Sequence, residues 1–167
     1  MDAGEIKKYL TELNDELRAI GVKGEICLYG GAVMCLVYNA RPATKDVDAI
    51  FQPTMEMRQA IERVAATYDL PSDWLNDAVK DYVVPHQQRI FFDFPHLKIF
   101  IPEPDYLLAM KALAARAETP DRDDIELLIK LLEIKSAEEV FSILVKYYPV
   151  HQQIKPATQY FIEELFK

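Results

Sequence analysis

The 167-residue chain has few of the residues that mark disulfide scaffolds, zinc sites or membrane segments. Its two cysteines, Cys27 and Cys35, have no second pair to complete a zinc site, so we interpret both as small buried apolar residues. The three histidines are scattered, without the i, i+4 spacing of helical metal ligands. No apolar run is long enough to span a membrane, and the first residues lack the basic-then-apolar order of a secretory signal. These absences predict a cytoplasmic protein with no membrane partner.

The chain also has fewer basic than acidic residues. The chain has 19 Lys and Arg against 27 Asp and Glu, which gives a net charge of -8 and a pI near 4.9. This balance argues against a broad nucleic-acid-binding surface, although a local basic pocket is compatible with it. A hydrophobic content of 50% is enough to build the core of one domain.

Periodicity and capping signals predict helices and about four strands. Helices are predicted over residues 4–19 and 32–38, from 53 to about 70, from 72 to about 79, and over 105–117, 121–133, 137–147 and 156–166. Strands are predicted over residues 25–29, 46–51, 89–94 and 97–101, with the last two forming a hairpin.

An adjacent glycine pair and two acidic residues are the most informative feature. Gly30 and Gly31 close an apolar strand, and Asp46 and Asp48 follow two residues apart on the next strand. Alternate side chains of a strand share a face, so the two carboxylates project together and repel each other unless a cation neutralises them. Two carboxylates beside a glycine-lined helix start suit a divalent metal that carries a nucleoside triphosphate.

Each part of this pattern also has a structural interpretation. A strand-to-helix turn often needs glycine for backbone reasons alone. Asp46 and Asp48 alone are also compatible with solvated charges at a loop edge. The hypothesis of a metal and triphosphate site therefore depends on the glycine pair and the two aspartates occurring together.

A lysine and an aspartate in the second half lie at the margins of apolar helix faces. Lys111 falls three or four residues from the apolar side chains of its helix, and Asp124 lies one turn before Leu128 in the next. We expect Lys111 and Asp124 to pair across the two helices. The alternative is a lysine with only its stem buried and a first-turn aspartate that complements the helix dipole.

The succession of Gly30, Gly31, Arg41, Thr44, Asp46 and Asp48 resembles the nucleotidyltransferases of the DNA polymerase beta superfamily, whose signature is a GG or GS turn followed by D-x-D on a strand. The segment LLAMKALAARAETPDRDDIELL is similar to the helix-turn pattern of the minimal nucleotidyltransferases and the nucleotidyltransferase toxins of type IV toxin-antitoxin systems. Its corresponding positions are Lys111, Arg116, Asp121 and Asp124. The resemblance covers roughly residues 25–130.

The resemblance implies an α+β fold, a small mixed sheet with flanking helices. The α/β core would span residues 1–103, and a helical C-terminal part, residues 104–167, would pack on it as one compact unit. It also implies transfer of a nucleoside monophosphate from a nucleoside triphosphate such as ATP, with Mg²⁺ or Mn²⁺ held by Asp46 and Asp48.

The resemblance also assigns roles to the remaining residues. Gly30, Gly31 and Thr44 would bind the triphosphate, with Arg41 as a further phosphate contact. Lys111 would contact phosphate, and Asp124 would orient it or act near the acceptor. Full catalytic sets of this superfamily usually include a third carboxylate, for which the candidates are Asp93 and, less favoured, Glu103.

The acceptor is not specified by the sequence. A protein hydroxyl or an RNA end is expected. One form of this hypothesis is a toxin with a cognate antitoxin as its partner. The alternative from another class is a non-catalytic nucleotide-binding or interaction module with the same fold. An antibiotic-modifying transferase is a third, less favoured alternative.

Overall fold

The computed structural model describes residues 1–114, 121–149 and 154–167. The fold is α+β, as the resemblance implied, with a five-stranded mixed sheet and flanking helices. The strands are β1 (Gly24–Tyr29), β2 (Val47–Gln52), β3 (Leu75–Asn76), β4 (Gln88–Asp93) and β5 (Leu97–Pro102). The helices are α1 (Ala3–Ala19), α2 (Gly30–Leu36), α3 (Thr54–Tyr68), α4 (Pro104–Ala114), α5 (Asp121–Leu131), α6 (Ala137–Tyr147) and α7 (Pro156–Glu164).

The described chain forms two compact units. The first comprises Met1–Val83 and Gln88–Pro102, and the second comprises Val84–Gln87 and Glu103–Lys167. The first unit contains the whole sheet with α1 to α3, and the second contains α4 to α7. One boundary between the units lies between Pro102 and Glu103, whereas the predicted division into a core and a helical part packed on it stays a prediction.

The sheet has the order β3-β2-β1-β5-β4, with β1 at its centre. β1 runs antiparallel to β2 and parallel to β5, and β4 pairs with β5 as the predicted antiparallel hairpin. A Cβ at Gly24 would lie 2.7 Å from Met57 Sδ and 3.0 Å from a Leu17 methyl, so α1 and α3 cover this face of the sheet. We call it the helix face; alternate residues point to the opposite face, the second face.

Two strong local signals account for the first helix. Asp2 accepts a hydrogen bond from the Glu5 backbone N–H at 2.8 Å while the Glu5 side chain accepts from Asp2 N–H, which is a capping box. The apolar side chains repeat at helical spacing and are fully buried: Ile6, Leu10, Leu13 and Leu17. The predicted helix over residues 4–19 is therefore confirmed, and its buried stripe covers the sheet.

One predicted helix is wrong. In place of the α-helix predicted over residues 72–79, the chain forms β3 and then a short 3-10 helix, Ala78–Asp81. The described sheet therefore has five strands where about four were expected. Leu75 pairs with Val47 of β2, and Trp74 C=O accepts the Val47 N–H at 2.7 Å. Trp74 and Leu75 are buried, but short apolar runs do not distinguish a strand from a helix.

The second unit is built around Tyr106, which is fully buried in α4. Its hydroxyl lies 3.0 Å from the Tyr148 hydroxyl and accepts the Val84 N–H at 3.1 Å, and its ring stacks on His86 with a centroid distance of 4.0 Å. Burial raises the pKa of the Tyr148 hydroxyl, and the Tyr106 hydrogen bond acts in the same direction. These contacts hold residues 84–87 to the helices.

The helices α6 and α7 begin where the capping and proline signals predicted, and α5 is described from Asp121 onward. The Ser136 hydroxyl accepts from Glu139 N–H at 3.4 Å at the start of α6. Residues 115–117 of the predicted helix over 105–117 lie outside the described residues. Within the described ranges, the longest helix has 17 residues and none has the length and apolarity to cross a membrane.

Trp74→Ala is expected to lower the free energy of unfolding by about 3–5 kcal/mol, because it empties a large buried site. The Trp74 side chain is only 1% exposed, and its Nε1–H donates to the Ile61 carbonyl at 3.0 Å. Trp74 is the only tryptophan, so the variant has no tryptophan fluorescence. Urea unfolding should therefore be followed by circular dichroism.

Met55→Ala is the control for this substitution, because its side chain is 69% exposed. Its expected change is within about 0.5 kcal/mol. Equal costs for the two variants would contradict the buried position of Trp74.

Candidate functional site

In the structure, Asp48 of β2 lies against the first glycine of the pair, Gly30. Gly30 directly follows β1, whose last residue, Tyr29, is the register partner of Asp48 on β2. A Cβ at Gly30 would lie 2.7 Å from Asp48 Oδ2, and Gly30 has a φ of 62°. An L side chain would therefore meet both a strained backbone and the carboxylate.

Gly31 contacts the loop that precedes β2. A Cβ at Gly31 would lie 2.8 Å from Arg41 Nη1 and 2.8 Å from Thr44 Oγ1. The Thr44 hydroxyl in turn donates to the Asp46 carbonyl at 3.1 Å. We call the set Gly30, Gly31, Arg41, Thr44, Asp46 and Asp48 the acidic corner.

Burial alternates along the segment that carries the two carboxylates of the acidic corner. Asp46 and Asp48 are both half-buried, whereas Val47 and Ala49 between and after them are fully buried. Asp46 was predicted to be the first residue of this strand, but it lies in the bend just before β2, which begins at Val47. Its carbonyl accepts the Thr44 hydroxyl, and the ladder begins at Val47, which donates its N–H to Trp74.

The glycine pair has a packing role that the sequence did not reveal. The space that each Cβ would occupy already borders side chains of the acidic corner, Asp48 at Gly30 and Arg41 with Thr44 at Gly31. The absence of both side chains thus lets a carboxylate and a guanidinium approach the backbone at the start of α2.

The beginning of the chain holds the Arg41–Thr44 loop in place. The amino group of Met1 donates to the Thr44 carbonyl at 2.7 Å, and Thr44 N–H donates to the Met1 carbonyl at 2.8 Å. This two-bond contact was missed by sequence reasoning. No local signal could have revealed it, because 43 residues separate the partners.

Both cysteines are buried, as interpreted from the sequence. Burial raises the pKa of the Cys35 thiol, and the charge of Asp2 acts in the same direction, while the amino terminus and Arg41 oppose it. Burial raises the pKa of the Cys27 thiol to about 11, so Cys27 is a neutral thiol at pH 7.

Asp93 does not join the two carboxylates. It lies on β4 opposite Lys98, and the register continues from Lys98 to Glu25 and from Glu25 to Gln52. Asp93 is therefore three strands from β2 and level with Gln52, at the far end from Asp48. The expectation of Asp93 as a third ligand of the same metal is corrected, because sheet order and register separate the residues.

Metal binding at the acidic corner stays a prediction, and it would rest on two carboxylates. Among residues 1–114, 121–149 and 154–167, no group of three or more His, Cys, Asp or Glu side chains is placed to hold a metal ion. Mg²⁺ is commonly held by one or two carboxylates, with substrate phosphates and water as the other ligands. Asp46 and Asp48 fit that pattern.

The predicted pair of Lys111 and Asp124 is present in the second unit. Lys111 Nζ lies 2.8 Å from Asp124 Oδ2 and 3.5 Å from Asp121 Oδ1, which links α4 to α5. The Lys111 side chain is 7% exposed and that of Asp124 is 1% exposed. A buried charge pair of this kind is costly to break. Arg116, the other basic residue of the resemblance, lies outside the described residues.

Comparisons with family models, curated proteins and solved structures gave no match to this chain.

Gly30→Ala is expected to destabilise the protein more than Gly21→Ala does. Both glycines have positive φ, 62° and 68°, which costs an L residue about 1–2 kcal/mol. An added methyl meets Asp48 at Gly30, whereas nothing lies within 4 Å of it at Gly21. Urea unfolding measures both costs, and equal costs would show that the contact with Asp48 is not close.

Lys111→Met is expected to cost about 3–5 kcal/mol, because it leaves Asp124 buried without its cation. The double substitution Lys111→Met with Asp124→Leu should cost less than the sum of the single changes, which a double-mutant cycle measures. Asp121→Asn is the control and should cost less, since Asp121 is 31% exposed and farther from Lys111. Additive costs would refute the coupling.

Proposed function

We propose that this protein transfers a nucleoside monophosphate from a nucleoside triphosphate to an acceptor, with Mg²⁺ held at the acidic corner. The observation that supports this most is the convergence of the glycine pair, Arg41, Thr44 and Asp48, residues that are spread over 19 positions of the sequence. Each was a candidate from the resemblance, and the fold places them together.

The charges of the acidic corner suit a metal-bound polyphosphate. Asp46 and Asp48 would hold Mg²⁺, which neutralises phosphate charge and orients the phosphates for in-line displacement when it is bound. The Arg41 guanidinium beside Gly31 is a cation with planar, directional donors, which matches phosphate oxygens. The two hydrogen bonds between Met1 and Thr44 limit the motion of the loop that carries Arg41.

The contributions of Lys111 and Asp124 to transfer stay predictions. Lys111 is engaged with two carboxylates, so a phosphate contact would require it to exchange one of them for a phosphate oxygen. The pairing itself needs no role in transfer, because it stabilises the packing of α4 on α5.

A non-catalytic nucleotide-binding module is the second candidate. It is favoured by the position of Asp93, which leaves the acidic corner with two carboxylates. Such a module would bind a triphosphate with Mg²⁺ without transferring it.

The acceptor under this proposal is a protein hydroxyl or an RNA end. The net charge of -8 makes a protein acceptor the more compatible of the two, because an RNA end would need a local basic groove. A cognate antitoxin is the proposed partner if the transfer is toxic.

The test is incubation of the protein with each labelled triphosphate and Mg²⁺, with and without cell extract. Asp46→Asn with Asp48→Asn is expected to reduce label transfer roughly 100-fold or more, because the lost charge stabilisation is worth several kcal/mol. Asp93→Asn is the matched control, since it makes the same chemical change at the far end of the sheet and should leave transfer unchanged.

Each outcome separates the candidates. Transfer that depends on Asp46 and Asp48 supports the enzyme, and Mg²⁺-dependent binding without transfer supports the module. Growth arrest on expression, relieved by the same double substitution, supports the toxin. Equal transfer by the double variant and the protein with native aspartates would refute the acidic corner as the site.

A further inference from the structure

A shallow cavity lies on the second face of the sheet, farther along β2 from the acidic corner. Its volume is about 110 Å³, and its lining includes Glu25, Cys27, Ile50, Gln52, Gln88 and Phe100. Pockets that enclose a whole drug-sized ligand are larger, about 300–1,000 Å³. The cavity therefore suits one part of a ligand whose remainder is bound elsewhere.

The strand register connects this cavity to the acidic corner. Asp48, Ile50 and Gln52 are alternate residues of β2 and share the second face, opposite Tyr29, Cys27 and Glu25 of β1. With a rise of about 3.3 Å per residue, Ile50 lies roughly 7 Å and Gln52 roughly 13 Å from Asp48 along the strand. The glycine pair lies beyond the opposite end of this row, since Gly30 directly follows Tyr29.

We propose that this cavity holds the base of the nucleoside triphosphate, and this inference rests on the proposed function. A triphosphate bound by the Arg41 and Thr44 side chains that lie against Gly31, with its innermost phosphate near Asp48, directs the nucleoside along the second face toward Ile50 and Phe100. These two apolar side chains are half-buried and supply contact for a planar ring.

The polar edge of the cavity selects among bases. The Gln52 side-chain amide donates to Glu25 Oε2 at 2.9 Å, which joins the two groups at the end of the row. The Glu25 carboxylate can only accept hydrogen bonds. It therefore favours an amino group at position 6 of a purine or position 4 of a pyrimidine, and it repels a carbonyl oxygen at the same position. ATP and CTP are preferred over inosine triphosphate and UTP.

The test compares two pairs of ligands that differ at one substituent. Equilibrium binding with Mg²⁺ is measured for ATP against inosine triphosphate and for CTP against UTP. The expected preference for the amino member is roughly tenfold, the order of one hydrogen bond to a charged group. Glu25→Gln should abolish most of this preference, and Phe100→Ala should weaken both members of a pair alike.

Asp93→Asn is the control, because it also removes a carboxylate from the far end of the sheet but does not line the cavity. It should keep the preference. Equal binding within each pair, or an unchanged preference in Glu25→Gln, overturns the base site. The proposed function survives that result if triphosphate binding still depends on Asp48. No binding of any triphosphate overturns both together.

Discussion

The close approach of side chains to the backbone of Gly30 and Gly31 is the constraint on which the acidic corner depends. At Gly30, the positive φ and the contact with Asp48 both disfavour a Cβ. At Gly31, Arg41 and Thr44 occupy the corresponding space. Because neither glycine has a side chain, a carboxylate and a guanidinium from different parts of the chain lie against the same two residues.

The packing of the sheet determines where Asp48 lies in the acidic corner. Asp48 is half-buried on the second face, while its neighbours Val47 and Ala49 are buried on the helix face. The apolar contacts of these neighbours hold β2 in register with β1, and the register places Asp48 opposite Tyr29. Packing on one face thus determines the position of charge on the other, which is how the core contributes to the proposed chemistry.

Prediction from the sequence was most accurate where the signals are local. The apolar periodicity of α1 and the Ser136 cap of α6 placed both helices, since each signal involves residues close together in the sequence. The short strand β3 was mistaken for helix because only pairing with β2 defines it. Asp93 has the apolar neighbours expected of a site residue, but its distance from Asp48 depends on strand order, which those neighbours do not specify.

The sequence by itself determined that Val47 and Ala49 would lie on one face of their strand with Asp48 on the other, because alternation is a property of the extended backbone. It also indicated the pairing of Lys111 with Asp124, since a lysine beside an apolar helix face needs a partner. Only the tertiary structure decided that Arg41 and Thr44 meet Gly31 and that Met1 holds the same loop. The physical reason is that such contacts join segments brought together by the packing of the whole core, which no local pattern encodes.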